Sequence, residues 1–390
     1  MPTTVAVFGD SLTARGRNDA GITLATNISG YSAWTEQFLG DAFVRPFLNF
    51  GVAGDTTTQA FARIGDVTTA APDICFVLVG TNDVAPGGPA APTIIANLRA
   101  IYTALKLAGV SVYAAPIPPR TGLDAEREAV RQEVNAWVRA TGETYLIDRL
   151  VDFETVFGAG GVPRPGYSDD GVHPTTLGAL HIGRALASAL QPQFSPPPPP
   201  LANGAAVLAP SGALLGAAGT KLNGALGDIA DNWELRKSAA ATGLVVAGEK
   251  EPSRSVIADR QVVTASGAAP TGSADAYATF ILVTAPTGLS AGENVQAMME
   301  LSVRASENIT QAGLRMQIDG STNVAALAGE RFTPTTEAPR VPWDATIATP
   351  IVTVPASPTT LKISFEARFA PDANVVMEAA FSSVRLVKHA

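Results

Sequence analysis

The sequence predicts two domains of different fold class, an α/β domain followed by an all-β sandwich. Three observations support this prediction. Strand-like and helix-like patterns alternate over the first half of the chain, five consecutive prolines stand at positions 196–200, and helical periodicity disappears beyond them. Alternating strands and helices are typical of a mainly parallel sheet, whereas many short strands separated by Gly- and Pro-rich turns are typical of a sandwich.

The strands predicted for the α/β domain are short, rich in Val, Ile, Phe and Leu, and bounded by turn residues: residues 4–8, 47–50, 74–79, 110–114 and 144–147. Apolar side chains at helical spacing predict helices at residues 31–39, 93–107, 125–140 and 176–190. Strands that are apolar throughout are typical of a sheet covered on both faces by helices. We therefore expect a three-layer domain over residues 1–192.

The proline run predicts the domain boundary. Proline lacks a backbone N–H and fixes its own φ angle, so consecutive prolines support neither a sheet ladder nor a helix interior. We therefore expect an extended linker over residues 193–202.

Residues 203–390 are predicted to form a β-sandwich of the jelly-roll type. Its strand-like runs are residues 243–247, 256–265, 276–283, 294–303, 312–318, 350–354, 360–368 and 375–387. Residues 361–366 alternate apolar and polar side chains, which gives a strand one buried and one solvated face. Eight such runs fit two packed antiparallel sheets.

Composition and charge limit the classes of partner. Of the 390 residues 46% are hydrophobic and 16% are charged, as in an ordinary globular protein, and the formal net charge is −8. A negative chain is a poor partner for nucleic acid or for an anionic membrane surface, and this charge mildly disfavours anionic polymers as substrates.

The cysteine count and the N-terminal sequence give expectations about disulfide bonds and about the cellular location of the chain. Cys75 is the only cysteine, so no intrachain disulfide forms, and its apolar surroundings predict a small buried hydrophobe. The N-terminus lacks the pattern of a signal peptide, and no run of about 18 apolar residues predicts a membrane span. We expect a soluble chain, cytoplasmic as written or secreted if a leader has been removed.

A serine follows the first predicted strand directly, in the segment Gly9-Asp10-Ser11. Reactive groups collect at the carboxyl edge of an open α/β sheet, and a serine there is a nucleophile once a base and an oxyanion hole converge on it. The chain has three histidines. His389 stands next to the C-terminus, where we expect mobility, and His181 lies within a predicted helix, so His173 is the candidate base.

The candidate base has a carboxylate beside it in the sequence. Asp170 precedes His173 by three residues in a tight turn, so its carboxylate can accept from one ring nitrogen while the other faces Ser11. Asp169 is the rival carboxylate. The same turn also fits the start of a helix, with an Asp cap and Pro174 at the first helical position, and the two interpretations are compatible.

Four segments resemble, in order and spacing, those of the GDSL or SGNH hydrolase family: Gly9-Asp10-Ser11-Leu12, Asn49-Phe50-Gly51-Val52-Ala53-Gly54-Asp55-Thr56, Gly80-Thr81-Asn82-Asp83 and Asp170-Gly171-Val172-His173-Pro174. The resemblance covers roughly the first half of the chain. It implies a flavodoxin-like α/β fold and ester hydrolysis with Ser11 as nucleophile. It also favours Asp170 over Asp169 as the partner of His173.

The resemblance further implies an oxyanion hole made by the N–H groups of Ser11 and Gly54 and the side chain of Asn82. Gly54 alternatively fits a plain turn glycine with positive φ. Gly51 competes with it, although Gly54-Asp55-Thr56 matches the family's second segment better. Asn82 alternatively fits a loop residue that turns the chain after a strand.

Other residues are expected to be structural. Asp10 and Asp83 fit loop-bracing or helix-capping carboxylates, and Trp34 and Trp137 fall on amphipathic helices as core residues. No group of His, Cys, Asp or Glu has metal-ligand spacing, and no Gly-rich phosphate loop occurs, so we expect neither a metal ion nor a cofactor.

The second domain bears a looser resemblance to the carbohydrate-binding-like modules that follow some bacterial SGNH hydrolases. It spans residues 228–356, from Asp228-Ile229-Ala230-Asp231-Asn232-Trp233 to Thr353-Val354-Pro355-Ala356. Sugar binding needs exposed rings, and the candidates Trp233, Trp343 and Tyr277 fit core positions equally well. The competing interpretation is a packing or oligomerisation module that forms a homo-oligomer.

The sequence therefore predicts a serine esterase that removes short acyl groups from a small molecule or a glycan, O-acetyl groups on carbohydrate among them. One alternative is a lipase or thioesterase acting on longer acyl chains. The other is a phage-tail-like glycan-binding or structural protein with little catalysis, against which the four complete segments argue. Loops at residues 14–30 and 85–92 are expected to shape the pocket.

Overall fold

The computed structural model describes residues 3–15, 25–27, 30–39, 47–168, 170–194, 213–251, 259–269, 276–331, 343–371 and 373–389. The chain divides into two compact units, residues 1–17 with 29–196, and residues 18–28 with 197–390. The predicted linker lies outside the described residues from position 195 onward, and so does the start of the predicted sandwich domain.

The first unit alternates strands and helices. Its strands are β1 (Val5–Gly9), β3 (Leu48–Gly51), β4 (Ile74–Leu78), β5 (Ser111–Ala114), β6 (Arg149–Leu150) and the hairpin β7 (Gly158–Ala159) and β8 (Val162–Pro163). Its helices are α1 (Ser11–Ala14), α2 (Tyr31–Leu39), α3 (Thr57–Ala62), α4 (Ile64–Ala70), α5 (Ala91–Leu107), α6 (Ala125–Thr141), α7 (Glu154–Phe157) and α8 (Thr176–Leu190), and a 3₁₀ turn covers Gln191–Gln193.

Five of these strands form one parallel sheet in the order β3-β1-β4-β5-β6. Counted among themselves they run 2-1-3-4-5, which is the flavodoxin-like order, so the predicted fold class is confirmed. In this topology ligands bind beyond the carboxyl ends of the strands where the order reverses, here between β1 and β4. Ser11 and Asn82 follow those two strands.

Helices cover the sheet on both faces. On one face the ring of Phe76 in β4 meets Tyr31 of α2 edge-on at 5.6 Å, and α2 packs against α8. On the other face Cys75 and Val77 belong to a buried cluster that also contains apolar side chains of α5 and α6. Cys75 is fully buried, as the sequence predicts.

The fifth strand does not lie at residues 144–147, where the sequence places it. That segment is a turn after α6, in which the Thr144 hydroxyl donates to the carbonyl of Thr141 at 2.6 Å. Leu146 and Ile147 are buried there as core residues without a ladder. The pairing with β5 begins only at Asp148, whose N–H donates to the carbonyl of Val112.

The second unit is built of strands. They are β2 (Ala25–Asn27), β9 (Ala218–Leu222), β10 (Leu226–Gly227), β11 (Ile229–Lys237), β12 (Leu244–Glu251), β13 (Arg260–Ala268), β14 (Tyr277–Thr284), β15 (Asn294–Glu307), β16 (Ile309–Asp319), β17 (Val324–Arg331), β18 (Trp343–Ala348), β19 (Val352–Thr353), β20 (Thr360–Phe369) and β21 (Asn374–His389). Each of the eight predicted runs overlaps one of them. None of the predicted runs covers β2, β9, β10, β11, β17 or β18.

The described strands of this unit form two seven-stranded sheets. One runs β10-β12-β13-β21-β15-β18 with β19 beside β15, and the other runs β2-β17-β16-β20-β14-β11-β9. Most neighbours are antiparallel, and the pairs β10/β12, β9/β11 and β2/β17 are parallel. The unit is therefore β-rich with mixed pairing at its edges.

The core of the second unit lies between the two sheets. Trp233 of β11 stacks on Phe280 of β14 at 4.3 Å, and Phe280 in turn stacks on Phe381 of the opposite sheet at 5.5 Å. Trp233 is 1% exposed, so it is a core residue and offers no ring to a sugar. The side chain of Trp343 lies outside the described residues.

The segment at residues 14–30 is predicted to shape the pocket, but its described residues 25–27 belong to a sheet of the second unit. Its residues Ala25–Asn27 form β2, which pairs in parallel with β17 from Leu327 to Gly329 and extends an edge of a sheet in the second unit. A strand edge offers unpaired N–H and C=O groups to any extended segment, which is the physical reason for this pairing.

None of the helices in the described ranges combines the length and the apolar character that crossing a bilayer requires.

Candidate active site

Ser11 stands where β1 gives way to a single turn of helix. Gly9 ends the strand so close to its neighbours that an added Cβ would lie 2.0 Å from the carbonyl oxygen of Leu78, so only glycine fits. Asp10 caps α1, and its Oδ1 accepts from the N–H of Leu12 at 2.9 Å. The cap fixes the backbone on both sides of the serine, whose own side chain stays partly exposed.

Ser11, His173 and Asp170 form one hydrogen-bonded chain. The Nε2 atom of His173 lies 2.9 Å from the Oγ of Ser11, and its Nδ1 lies 2.6 Å from Oδ2 of Asp170. The structure thus brings together three residues that are separated by up to 162 positions in the sequence. With the carboxylate on Nδ1, the imidazole is held in the tautomer that leaves Nε2 free to accept a proton from the serine hydroxyl.

Asp170 is held ionised by its own turn. Its Oδ1 accepts from the N–H groups of Val172 at 2.9 Å and His173 at 2.7 Å, besides the contact of Oδ2 with the imidazole. Partial burial raises the pKa of Asp170, but these hydrogen bonds outweigh burial and hold it well below its usual value. Gly171 has φ +78°, and an added Cβ there would lie 1.8 Å from the Thr121 hydroxyl, so the turn requires glycine.

The start of α8 differs from the expected one. The N-cap is Thr175, whose hydroxyl accepts from the N–H of Gly178 at 3.1 Å. Pro174 precedes that cap and is not the first helical residue, and Asp170 does not cap the helix. The carboxylate is instead occupied by the turn that contains His173, so the turn and the helix start are two separate features.

The candidate oxyanion donors follow three adjacent strands: Ser11 follows β1, Gly54 follows β3 and Asn82 follows β4. Within the described residues neither the Ser11 N–H nor the Gly54 N–H donates a hydrogen bond. Gly54 has φ +86° and is exposed with open space at its Cβ position, so its conformation, not crowding, requires glycine. The rival Gly51 donates its N–H to Oδ1 of Asn49 at 2.8 Å, which leaves it no free donor.

Asn82 is partly buried and uses one of its two amide protons on the protein. Its Nδ2 donates to the carbonyl of Asp55 at 2.8 Å, which joins the loop after β4 to the loop that contains Gly54. The second amide proton remains for a ligand.

Three arginines that the sequence analysis did not single out brace these loops. Arg63 donates from Nη2 to the carbonyl of Gly9 and from Nη1 to that of Phe50, both at 2.8 Å, and from Nε to Asp55 at 2.5 Å. One guanidinium therefore links the ends of β1 and β3 to the loop carrying Gly54. Arg63 leaves little trace in the sequence, because its acceptors are mainly carbonyl groups distant along the chain.

Arg127 and Arg120 hold the loop around Asn82. The buried Arg127 donates to the carbonyls of Asp83 at 2.6 Å and Pro89 at 3.1 Å, and Arg120 donates to the carbonyl of Thr81 at 2.8 Å. Arg127 falls on the apolar stripe of α6, and a cation on an apolar stripe is the signal that could have identified it.

The two carboxylates predicted to be structural are buried beside the site. Asp10 is fully buried, and burial raises its pKa to about 7 against the opposing effect of the N–H groups of Leu12, Gly80 and Thr81. Asp83 accepts from the N–H and the hydroxyl of Thr57, at 2.8 and 2.6 Å, in the first turn of α3. Burial raises the pKa of Asp83 as well, although the Thr57 hydrogen bonds oppose the shift.

The remaining candidates lie away from the hydrogen-bonded chain. The ring of His181 stacks on Tyr167 at 4.9 Å, as expected of a packing residue. His389 is not a loose terminal residue, because it ends β21 and its Nε2 lies 3.1 Å from Oε1 of Gln296. Asp169, the rival of Asp170, lies outside the described residues. Over the described ranges no three His, Cys, Asp or Glu side chains gather as metal ligands.

Residues 7–180 match the model of the GDSL-like Lipase/Acylhydrolase family. This segment is therefore a GDSL-like lipase/acylhydrolase domain, which indicates a hydrolase acting on esters. No curated protein matches the chain.

Several solved structures resemble about half of the chain. A lipase/acylhydrolase from Enterococcus faecalis is 18% identical and aligns over 50% of this chain and 99% of its own, with a TM-score of 0.40. A GDSL-like lipase from Bacteroides thetaiotaomicron is 20% identical over 49% and 87%, with a TM-score of 0.37. A carbohydrate esterase family 3 protein from Talaromyces cellulolyticus is 24% identical over 49% and 97%, with a TM-score of 0.36.

Proposed function

We propose that the chain is a serine esterase that hydrolyses carboxylic esters with short acyl groups through an acyl-enzyme on Ser11. The observation that carries the proposal is the hydrogen-bonded chain from the Ser11 hydroxyl through His173 to Asp170. A serine hydroxyl is nearly inert at its free pKa, and a base within hydrogen-bonding distance is what makes it a nucleophile.

In the acylation step Nε2 of His173 takes the Ser11 proton while Oγ attacks the ester carbonyl carbon. The carbonyl π bond opens, and its electron pair becomes the charge of a tetrahedral oxyanion. When the carbonyl re-forms, the bond to the alcohol oxygen breaks, and the imidazolium gives its proton to the departing alcohol. Asp170 stabilises the imidazolium between these transfers.

The oxyanion is held by preplaced donors. The N–H groups of Ser11 and Gly54 and the second amide proton of Asn82 supply them. Donors that are fixed before the reaction cost no reorganisation when the charge develops, and this is why such groups contribute much of the rate. The bracing of the three loops by Arg63, Arg120 and Arg127 keeps them in place.

Deacylation repeats the cycle with water as the nucleophile. His173 takes a proton from water, the hydroxide attacks the acyl carbon, and Ser11 leaves with the proton that His173 returns. The products are a carboxylic acid and a regenerated hydroxyl.

The first test is turnover of p-nitrophenyl acetate by the wild type and by Ser11→Ala. We expect the substitution to abolish turnover and to prevent the mass increase of one acetyl group that a trapped acyl-enzyme gives. Ser188→Ala is a matched control, because Ser188 is exposed on α8 and only donates to the carbonyl of Arg184. Unchanged turnover in Ser11→Ala would refute the proposal.

The acyl chain and the alcohol are tested separately. Rates measured from acetyl to long-chain p-nitrophenyl esters should decrease with chain length, and a preference for long chains would favour a lipase or thioesterase instead. A screen of O-acetylated oligosaccharides then asks whether the alcohol is a sugar, as the second unit's resemblance to carbohydrate-binding modules suggests.

A further inference from the structure

The outer face of one sheet in the second unit gathers four cations around a depression, here called the basic groove. Arg236, Arg315, Lys362 and Arg368 line it as side walls, and Thr279 and Ser364 form its floor. These residues stand on four adjacent strands, β11, β14, β20 and β16. The cavity has a volume of about 230 Å³.

The register of the strands explains the shape. Phe280 of β14 and Phe365 of β20 are paired and face the core. Successive side chains of a strand point to opposite faces, so the residues next to each of them in the sequence face outward. Thr279 and Ser364 are therefore outward-facing, yet only 7% and 5% exposed. Because Thr279 on β14 and Ser364 on β20 have short side chains and longer cationic side chains surround them, the surface is depressed there and forms the basic groove.

The groove carries more positive charge than its own acids neutralise. Three of its cations have an acidic neighbour: Arg236 pairs with Glu234, Lys362 with Asp319 at 2.9 Å, and Arg368 with Glu366 at 2.9 Å. Arg315 is exposed and has no ion pair with any described residue. A whole-chain charge of −8 predicts poor affinity for anionic polymers, and this face is a local exception to it.

The lining also offers hydrogen bonds suited to an alcohol-rich ligand. Thr279 and Ser364 present hydroxyls, Gln317 presents an amide, and Tyr277 presents a ring that lies beside the Arg368 guanidinium. Glu366, the one carboxylate among the lining residues, accepts from hydroxyl groups but repels a bare inorganic anion. A ligand that satisfies this set carries an anionic group together with several hydroxyls.

We propose that the basic groove binds an anionic saccharide, with Arg315 as the residue that pairs with its anionic group. Arginine offers paired N–H donors that match a carboxylate or a sulfate ester. The volume admits about one sugar unit at a time, below the range of roughly 300–1,000 Å³ typical of drug-sized ligands. The site is distinct from the esterase site and requires no turnover.

The test is binding of defined saccharides to the full-length protein by calorimetry. Trigalacturonate should bind. Its methyl ester, which keeps the sugar units without the charges and is offered to the Ser11→Ala variant so that it is not hydrolysed, should bind at least about tenfold more weakly, as expected when charge-assisted hydrogen bonds are lost. Added NaCl should weaken binding of the acid and not that of the ester. A sulfated disaccharide that binds more tightly than trigalacturonate would support the site and identify a sulfate ester as the anion.

Variants locate the site. Arg315→Ala should weaken trigalacturonate binding about tenfold or more, because it removes the charge-assisted hydrogen bonds to the anionic group of the ligand. The substitution leaves no acidic partner unpaired, so the sheet itself should be unaffected. Lys221→Ala is the matched control: Lys221 is an exposed cation of the same sheet, paired in register with the core-facing Leu235 and absent from the groove lining. It should bind as the wild type does.

Three results would overturn the proposal. They are equal binding of the acid and its methyl ester, unchanged binding in Arg315→Ala, and displacement of the saccharide by equimolar inorganic sulfate. Turnover of p-nitrophenyl acetate is measured in the same preparations and should be unchanged in both variants. A protein without esterase activity that still binds trigalacturonate would refute the proposed function alone.

Discussion

Asn82 combines a contact that fixes a loop with a donor that remains unused. One amide proton binds the carbonyl of Asp55, and the other is available to an oxyanion. We expect Asn82→Ala to lower kcat for p-nitrophenyl acetate by about 10²–10³ with little change in KM, as loss of one oxyanion donor does elsewhere. Asn97→Ala is the control, since that amide contacts only the hydroxyls of Thr57 and Thr58. Equal kcat values in the two variants would assign Asn82 a loop role.

Asp10 makes stability depend on pH in an unusual direction. Its pKa in the folded protein is about 7, whereas an unperturbed Asp has a pKa near 3.9. Between these values the folded protein holds a proton that the unfolded chain has lost, so the contribution of Asp10 to stability falls as the pH rises from about 4 to about 7. The pKa of Asp170 is shifted in the opposite direction, so the contribution of Asp170 to stability is fully present above about pH 4 and is lost only as the pH falls below that value.

We expect Asp10→Asn to remove this dependence, because an amide does not titrate in the window. Thermal unfolding midpoints of the wild type and the variant, measured at several pH values from about 4.5 to 7.5, give the difference between them. As the pH rises, the unfolding midpoint of the wild type should fall relative to that of the variant. A constant difference would show that Asp10 is not protonated in the folded protein.

Helices were the elements best predicted from the sequence. The predicted residues 31–39 and 176–190 coincide with α2 and α8, and α5 and α6 differ from prediction by at most two residues at an end. Their apolar side chains recur at a helical spacing that places one face against the sheet, so each helix can be recognised from its own sequence. The sequence does not predict α1, α3, α4 or α7, because each has at most seven residues and is too short to show a helical period.

Arg131 shows what a charged residue on a helix's buried face requires. Its side chain is 0% exposed and contacts Glu128 at 2.7 Å, Glu154 at 2.8 Å and the carbonyl of Ile117 at 2.8 Å. Removal of the guanidinium breaks all of these contacts at once and leaves two carboxylates without their buried cation. Breaking a buried ion pair from one side typically costs about 3–5 kcal/mol.

We therefore expect Arg131→Gln to lower the free energy of unfolding of the first unit by about 3–5 kcal/mol. Lys106→Ala is the comparison, since Lys106 pairs with Asp148 at 2.7 Å where both side chains are about a third exposed, and it should cost less than about 1 kcal/mol. Urea unfolding followed by loss of esterase activity reports on this unit alone. Similar losses in the two variants would contradict the expected role of burial.

At the scale of the whole molecule, residues 18–28 belong to the second unit although they lie in the first domain's sequence. A chain that ends after Phe194 keeps all five strands of the parallel sheet and the residues of the hydrogen-bonded chain. It loses β17, and with it the partner of β2. We expect this fragment to fold and to cleave p-nitrophenyl acetate.

Truncation after Phe194 should destabilise β2 alone among the strands β1, β2 and β4. Hydrogen exchange should show that the amides of residues 25–27 lose protection relative to the full-length protein, while those of β1 and β4 keep theirs. An insoluble fragment, or one without protection in β1, would show that the parallel sheet depends on the second unit.

The sequence alone determined the fold class, the four segments and the identity of the candidate residues, because these depend on local periodicity and on short motifs. Only the tertiary structure decided which of these residues meet. The contact between Ser11 and His173 spans 162 positions, and only the structure shows that the N–H of Gly51 is already bound to the side chain of Asn49. Arg63 and the parallel pairing of β2 could not be foreseen, since backbone carbonyls and free strand edges accept many partners and no side-chain pattern records which one they take.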